Sequence, residues 1–270
     1  MYRSDYHLHT LVSSDSPASL EQQARSALEA GLQELCVTDH WNLLGQQAEP
    51  LPHNQDWSAS IAHIREAREL FADQLEIRLG IEVGNGEIDP AGIAEGLAQA
   101  GTDLDFVIGS LHNQSLGSGG LGIFTAAKQC QKIEDGIALL EDYLETLLTL
   151  ADTDTFDVIG HVIYPLRYLP AKWQLTLEPY EEQLRILFRK VIQSGRGIEF
   201  NTTQGRTIEE WTAVMKIYRD CGGEILTIGS DAHRPGQVGA GFHEAVALLK
   251  GLGFRHYATY RNRKPEFHLL

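Results

Sequence analysis

Six of the chain's eleven histidines stand in places that packing alone does not call for. His7 and His9 form a His-x-His pair, a spacing that puts both imidazoles on one side of an extended chain. Asp39 with His40, Glu82, His112, His161, and Asp231 with His233 each close or directly follow a short apolar run. Asp15 lies in the segment just past the first pair. Neutral imidazoles and carboxylates gathered in one pocket suit divalent cations, because imidazole binds zinc, iron and related ions and a carboxylate can bridge two of them. Without an ion such a cluster is a costly set of unsatisfied polar groups. One histidine at a strand end is ordinary. Nine ligand-capable side chains (His7, His9, Asp15, His40, Glu82, His112, His161, Asp231 and His233) at matching ends of successive runs read as a metal site. His53, His63, His243, His256 and His268 lack that placement and read as surface or packing residues.

The elements that must position these residues alternate along the whole chain. Seven apolar runs, at 6–9, 35–39, 77–83, 106–111, 156–161, 197–201 and 225–230, read as strands. Amphipathic helical stripes separate them. One carries Leu20, Ala24, Ala27 and Leu28 behind a Ser19/Gln22 capping box, and the longest runs from Ile133 to Leu148. Others include Leu184 to Val191, Ile208 to Tyr218 and Phe242 to Leu252. Successive βα units predict an α/β fold with a parallel barrel, whose strand carboxyl ends converge on one mouth. Two stretches break the rhythm, 41–57 and the glycine-rich 113–125, and both begin where barrels carry active-site loops. Nothing resembling a linker divides the chain, so a single domain over 1–270 is expected.

Composition narrows the function. With 22 Lys plus Arg against 37 Asp plus Glu the formal charge is −15, which opposes general nucleic-acid binding and docking on anionic membranes. A chain of 270 residues that is 43% apolar can bury a sizeable core. No apolar run approaches the ~18 residues of a spanning helix, and the first residues lack the pattern of a secretory signal. Cys36, Cys130 and Cys221 are odd in number and widely spaced, which suggests neither a disulfide framework nor a thiolate zinc site. A cytoplasmic location is expected.

The motifs His-Leu-His at 7–9, Thr-Asp-His at 38–40, Gly-Ile-Glu at 80–82, Gly-Ser-Leu-His at 109–112, Ile-Gly-His at 159–161 and Gly-Ser-Asp-Ala-His at 229–233 resemble the polymerase-and-histidinol-phosphatase (PHP) superfamily. Ile-Glu-Phe-Asn-Thr-Thr at 198–203 and Tyr-Arg-Asn-Arg-Lys-Pro at 260–265 resemble its histidinol-phosphatase branch. That resemblance implies a distorted seven-stranded (β/α)7, TIM-like barrel holding three divalent ions, zinc, iron or manganese. It assigns His7, His9, Glu82 and Asp231 to a first ion. Glu82 would bridge to a second, with His112 and His161. Asp15, His40 and His233 would take the third, with Asp15 standing where some relatives carry His.

The reaction so implied is hydrolysis of a small phosphate ester, L-histidinol phosphate in that branch, a step of histidine biosynthesis. Hydroxide held between two cations would attack phosphorus. Arg167 and Arg206, both just past strand ends, are the candidate phosphate-binding residues, since a planar guanidinium grips two oxygens. Asp231 and His233 are the residues assigned to the catalytic step. His233 is placed to relay a proton to the leaving group, although ligation would weaken its imidazole as an acid and water could serve instead. Asp39 is expected to orient an imidazole from behind, and Trp41 and Tyr164 offer aromatic walls for the leaving alcohol. Three other readings stay open: a PHP phosphoesterase for another small ester or nucleotide, an amidohydrolase-type barrel, and a non-catalytic metal-binding regulator. The amidohydrolase reading is disfavoured because Glu82, not a lysine, holds the bridging position. A degenerate regulator would be expected to have lost ligands.

Overall fold

A computed structural model describes residues 1–270. Strand and helix alternate: β1 (Ser4–Leu8), α1 (Leu20–Glu29), β2 (Glu34–Val37), β3 (His40–Asn42), α2 (Ser58–Leu70), β4 (Glu76–Gly84), α3 (Pro90–Ala100), β5 (Phe106–Ser110), α4 (Ile123–Gln129), α5 (Ile133–Ala151), β6 (Val158–Ile159), α6 (Glu181–Gln193), β7 (Gly197–Asn201), α7 (Trp211–Asp220), β8 (Leu226–Gly229) and α8 (Phe242–Gly251). An antiparallel hairpin, β9 (His256–Arg261) and β10 (Lys264–Leu269), ends the chain. Helix α1 starts on the expected capping box: the Ser19 side chain accepts from Gln22 N, and Gln22 reaches back to the Ser19 amide.

The parallel strands lie in the order β1-β2-β4-β5-β6-β7-β8. The β8 end returns to β1, where Asp231 N donates to His7 O at 2.8 Å and His9 N to Ala232 O at 2.8 Å. This is the seven-stranded, nearly closed barrel expected from the βα rhythm. It is distorted at two places. Strand β6 keeps only two residues. Beyond a break at Thr38 and Asp39, β3 resumes alongside β4 and pairs His40 with Glu82, so the 41–57 stretch begins as strand and not as loop.

Asp5 fastens the closure. Its buried carboxylate accepts from Ser230 N at 2.9 Å, Gly239 N at 2.8 Å and His7 N at 3.2 Å, tying β1 to the segment that carries Asp231 and His233. Gly229 allows the close approach, since a Cβ there would lie 2.4 Å from His7 Cβ.

The hairpin, which lies outside the seven apolar runs, closes the opposite end of the barrel. Its two-residue turn has φ of +49° at Asn262 and +63° at Arg263, a combination typical of type I′. Ala258 and Tyr260 pack onto Tyr6, Cys36, Phe106, Ile108 and Val158, burial that stabilises by about 1.5–3 kcal/mol for each large side chain. The Tyr6 hydroxyl accepts from Tyr260 N at 2.7 Å and also contacts Glu34, while Arg263 pairs with Asp157. No helix is long and apolar enough to cross a membrane.

Candidate metal centre

All nine candidate ligands meet at the mouth formed by the strand carboxyl ends. Glu82, wholly buried on β4, stands at the middle. Its Oε1 lies 2.9 Å from His161 Nε2 and 3.1 Å from His112 Nε2, and accepts from Ser110 Oγ at 2.7 Å. Its Oε2 lies 2.8 Å from His40 Nδ1, 3.3 Å from His7 Nε2 and 3.7 Å from His9 Nε2. One carboxylate thus faces two groups of imidazoles. Asp231 Oδ1 is 3.4 Å from His9 Nε2 and 3.7 Å from His7 Nε2. At the open edge, Asp15 Oδ2 sits 3.3 Å from His40 Nε2 and 3.2 Å from His233 Nε2. His9 stacks on His40 with ring centroids 4.1 Å apart and meets His233 at a tilt with centroids 4.3 Å apart.

Backbone strain accompanies this convergence. Asp231 has φ of +60°, Thr203 +48° and Gln204 +55°, the left-handed region that costs non-glycine residues of order 1 kcal/mol or more each. Hydrogen bonds tie Gln204 to the Asp231 segment, Gln204 N donating to Ser230 O and Gln204 Nε2 to Asp231 O.

The electrostatics follow from crowding bases and acids out of water. Burial opposes charge on His40, but Glu82 and Asp15 outweigh it and raise its pKa to about 10. For His7 burial is likewise overcome, by Glu199, Glu82 and Asp231, so its pKa is raised. His9 goes the other way: burial and the neighbouring His40 push it down to about 3. Burial alone would raise the Glu82 carboxyl, yet His7, His112 and His40 hold it far below the usual range.

Two buried imidazole nitrogens, His7 Nε2 and His9 Nε2, have no hydrogen-bond partner, and His40 Nδ1 and Glu82 Oε2, though 2.8 Å apart, are not aligned for a hydrogen bond. Such orphans are rare in folded proteins and each costs about 1–3 kcal/mol. Here they point at one another across gaps such as 3.3 Å (His7 to Glu82) and 3.7 Å (His9 to Glu82). His112 Nε2 and His161 Nε2 are 3.3 Å apart, close to the edge of a tetrahedron with arms of about 2.0–2.1 Å. Imidazole nitrogen and carboxylate oxygen are donors for zinc, iron or manganese, and no cysteine lines the cavity. The residues fit divalent ions.

The cavity in front of these groups has a volume of about 760 Å³. Arg167 and Arg206 both line it. Arg167, half-buried as a residue with its side chain nearly covered, donates from Nη1 to Asp231 Oδ2 at 2.8 Å, while its Nε and Nη2 have no partner. Arg206 is exposed at the rim, donating to Thr203 O and Gln204 Oε1. Tyr164 forms a wall, stacked on His161 at 4.4 Å. Trp41 does not: it is buried against α3, where a Cβ on Gly96 would come within 2.3 Å of its ring. Asp39 acts one atom further back than expected. It accepts from Thr10 and Ser13, and Ser13 Oγ is what lies 3.3 Å from His9 Nδ1. None of His53, His63, His243, His256 and His268 lines the cavity.

Side chains that the strand-end pattern passed over also touch the candidate ligands. Asn42 Oδ1 is 2.8 Å from His112 Nδ1, Asn201 Nδ2 is 3.4 Å from Asp231 Oδ2, and Glu199 Oε1 is 2.6 Å from His7 Nδ1. Glu199 and Asn201 belong to the Ile-Glu-Phe-Asn-Thr-Thr motif at 198–203, which carried the resemblance without giving these two residues a role, and Asn42 had no such signal.

The family model described as "PHP domain" matches residues 5–203. The chain belongs to that family. Among PHP-domain relatives, a probable histidinol-phosphatase of Deinococcus radiodurans is 30% identical, with 97% of this chain and 98% of the relative covered. A histidinol-phosphatase of Lactococcus lactis is 26% identical over 98% and 97% of the two chains. The crystal structure of histidinol phosphate phosphatase from Lactococcus lactis, complexed with zinc, L-histidinol and phosphate, superposes with a TM-score of 0.83 at 23% identity, covering 98% of each chain. The PHP fold therefore extends over nearly the whole chain.

Proposed function

We propose that this protein is a metal-dependent phosphomonoesterase that hydrolyses L-histidinol phosphate to L-histidinol and phosphate, and that residues 1–270 act as one catalytic unit. The observation that carries the reading is the juxtaposition of an imidazole–carboxylate cluster holding unpartnered polar atoms with Arg167, a cavity-lining residue whose buried Nε and Nη2 donors have no partner. The names of the full-length relatives support the substrate.

The cations would number three, zinc, iron or manganese. His7, His9, Glu82 and Asp231 would hold the first, Glu82, His112 and His161 the second, and Asp15, His40 and His233 the third. Bound there, divalent ions supply Lewis acidity, which activates water and offsets phosphate charge. The chain's own groups do the rest. Arg167 spends Nη1 on Asp231 and offers the edge formed by Nε and Nη2, which matches two phosphate oxygens. Arg206, tethered at the rim, adds a second cationic contact as the ester enters. His233 Nδ1 lies 3.0 Å from Asp231 O, so the ring donates there and leaves Nε2 toward Asp15. An imidazole so engaged holds the Asp231 segment, and the leaving oxygen takes its proton from water. For a leaving group that carries an imidazole and an ammonium, Tyr164 and Tyr168 provide aromatic faces, and Asp15, Glu49 and Glu210 provide negative charge around the mouth.

A substrate panel tests this reading. Phosphate release from L-histidinol phosphate is expected to exceed that from nucleotides and aryl phosphates by orders of magnitude in kcat/KM. Equal rates on all three would refute the substrate.

A further inference from the structure

Glu199 lies wholly buried in the middle of β7 and takes no part in the reaction described above. Its Oε1 is 2.6 Å from His7 Nδ1, and its Oε2 accepts from the backbone N of His161 at 2.9 Å. Asn201 Nδ2 donates to both oxygens, at 3.1 and 3.2 Å. Gly229 closes the other side, where a Cβ would reach within 2.5 Å of Oε1. The carboxylate therefore has fixed donors on both oxygens and no room to turn.

A carboxylate in this position accepts and does not donate. Facing it, His7 Nδ1 is the donor, so Nε2, 3.3 Å from Glu82 Oε2 and 3.7 Å from Asp231 Oδ1, is the nitrogen left to meet an ion. The second oxygen fixes the amide of His161, whose ring faces the opposite oxygen of Glu82. We infer that Glu199 is a positioning residue that sets the His7 tautomer and the spacing between the imidazoles of β1 and the His161 segment, and so sets how tightly the centre holds its ions. Metal-ligating histidines commonly need such a partner behind them, and its loss typically weakens metal binding about 10- to 100-fold. This inference rests on the metal centre proposed above.

Glu199→Gln isolates the effect. The amide has one oxygen for two donors, so either His7 Nδ1 or the His161 N–H must face an NH2 group. Zinc is the probe, with affinity measured by chelator competition on the full chain, and kcat and KM measured separately. Expected results are a 10- to 100-fold loss of zinc affinity, a fall in kcat, and KM within about twofold. A zinc affinity within twofold of the unaltered protein would overturn the inference, because a merely structural glutamate would shift thermal stability and leave affinity alone. Should the variant not fold, nitrogen-15 spectra of histidine in the unaltered, zinc-loaded protein decide the point. A His7 proton on Nδ1 supports the assignment, and a proton on Nε2 overturns it. An unaltered protein that takes up no zinc would refute the metal centre itself, and the inference with it.

Discussion

Replacing Arg167 by alanine separates the two duties proposed for this side chain, gripping phosphate and holding Asp231. The side chain is only 7% exposed, so solvent screens its bonds little. Its free edge would make two charge-assisted bonds to phosphate, and such bonds contribute about 1.5–3 kcal/mol each. With water taking up part of the vacated space, the lower end of that range, about 3 kcal/mol in total, is the reasonable figure. At 1.4 kcal/mol per factor of ten this is a loss of about 100-fold in kcat/KM. The distribution is informative. Phosphate is bound in both ground and transition states, so most of the loss belongs in KM. Arg167 also holds Asp231 at 2.8 Å, and without it Asp231 Oδ2 keeps only the 3.4 Å contact with Asn201, so kcat falls as well. Steady-state phosphate release over a wide range of L-histidinol phosphate concentrations, on protein of measured metal content, gives both constants. A variant whose kcat/KM stays within threefold of the unaltered enzyme would refute the placement of phosphate against this edge.

Further outcomes follow from the same geometry. Arg206→Ala, at an exposed position, should raise KM about three- to tenfold with kcat unchanged, and steady-state kinetics that show a kcat effect alone would remove Arg206 from phosphate binding. His7 and His40 both have raised pKa values in the metal-free protein, so if they are ligands as proposed, ion binding is expected to expel protons near pH 7. Their contribution to metal-free stability is present at low pH and lost as pH rises through those raised values, while metal affinity rises. Calorimetric titration of zinc in buffers of different ionisation enthalpy should detect proton release, and identical heats in all buffers would contradict it. Asp5→Ala should lower stability by about 3 kcal/mol, because buried donors on Ser230 and Gly239 lose their acceptor. Urea unfolding of the metal-loaded protein measures this, and a change below about 1 kcal/mol would show that the barrel closes without that clamp.

Much of the fold was legible because burial imposes a period on each element. The seven barrel strands are apolar runs closed by polar residues, and α1 announces itself through Ser19 and Gln22. Strand β3 was not, because His40–Asn42 is short, polar at both ends, and defined only by its partner β4. The terminal hairpin was hidden for a related reason: β10 is largely exposed, and its turn uses Asn262 and Arg263 instead of a glycine. In the site, side chains at strand ends stood out because polarity there breaks an apolar run. Residues that contact the ligands from behind did not. Glu199 and Asn201 lie within β7, and Asn42 and Ser13 look like ordinary loop polarity until Asn42 is seen on His112 and Ser13 beside His9. Trp41 follows a candidate ligand in sequence, but strand alternation turns it to the other face, against Gly96.

Metal content is the most direct test of the central claim. Protein purified without chelator and analysed by elemental mass spectrometry is expected to carry close to three equivalents of zinc, iron or manganese, to lose phosphatase activity on chelation, and to regain it when the ions return. Metal-free protein that hydrolyses L-histidinol phosphate at the full rate, with or without chelator, would contradict the account.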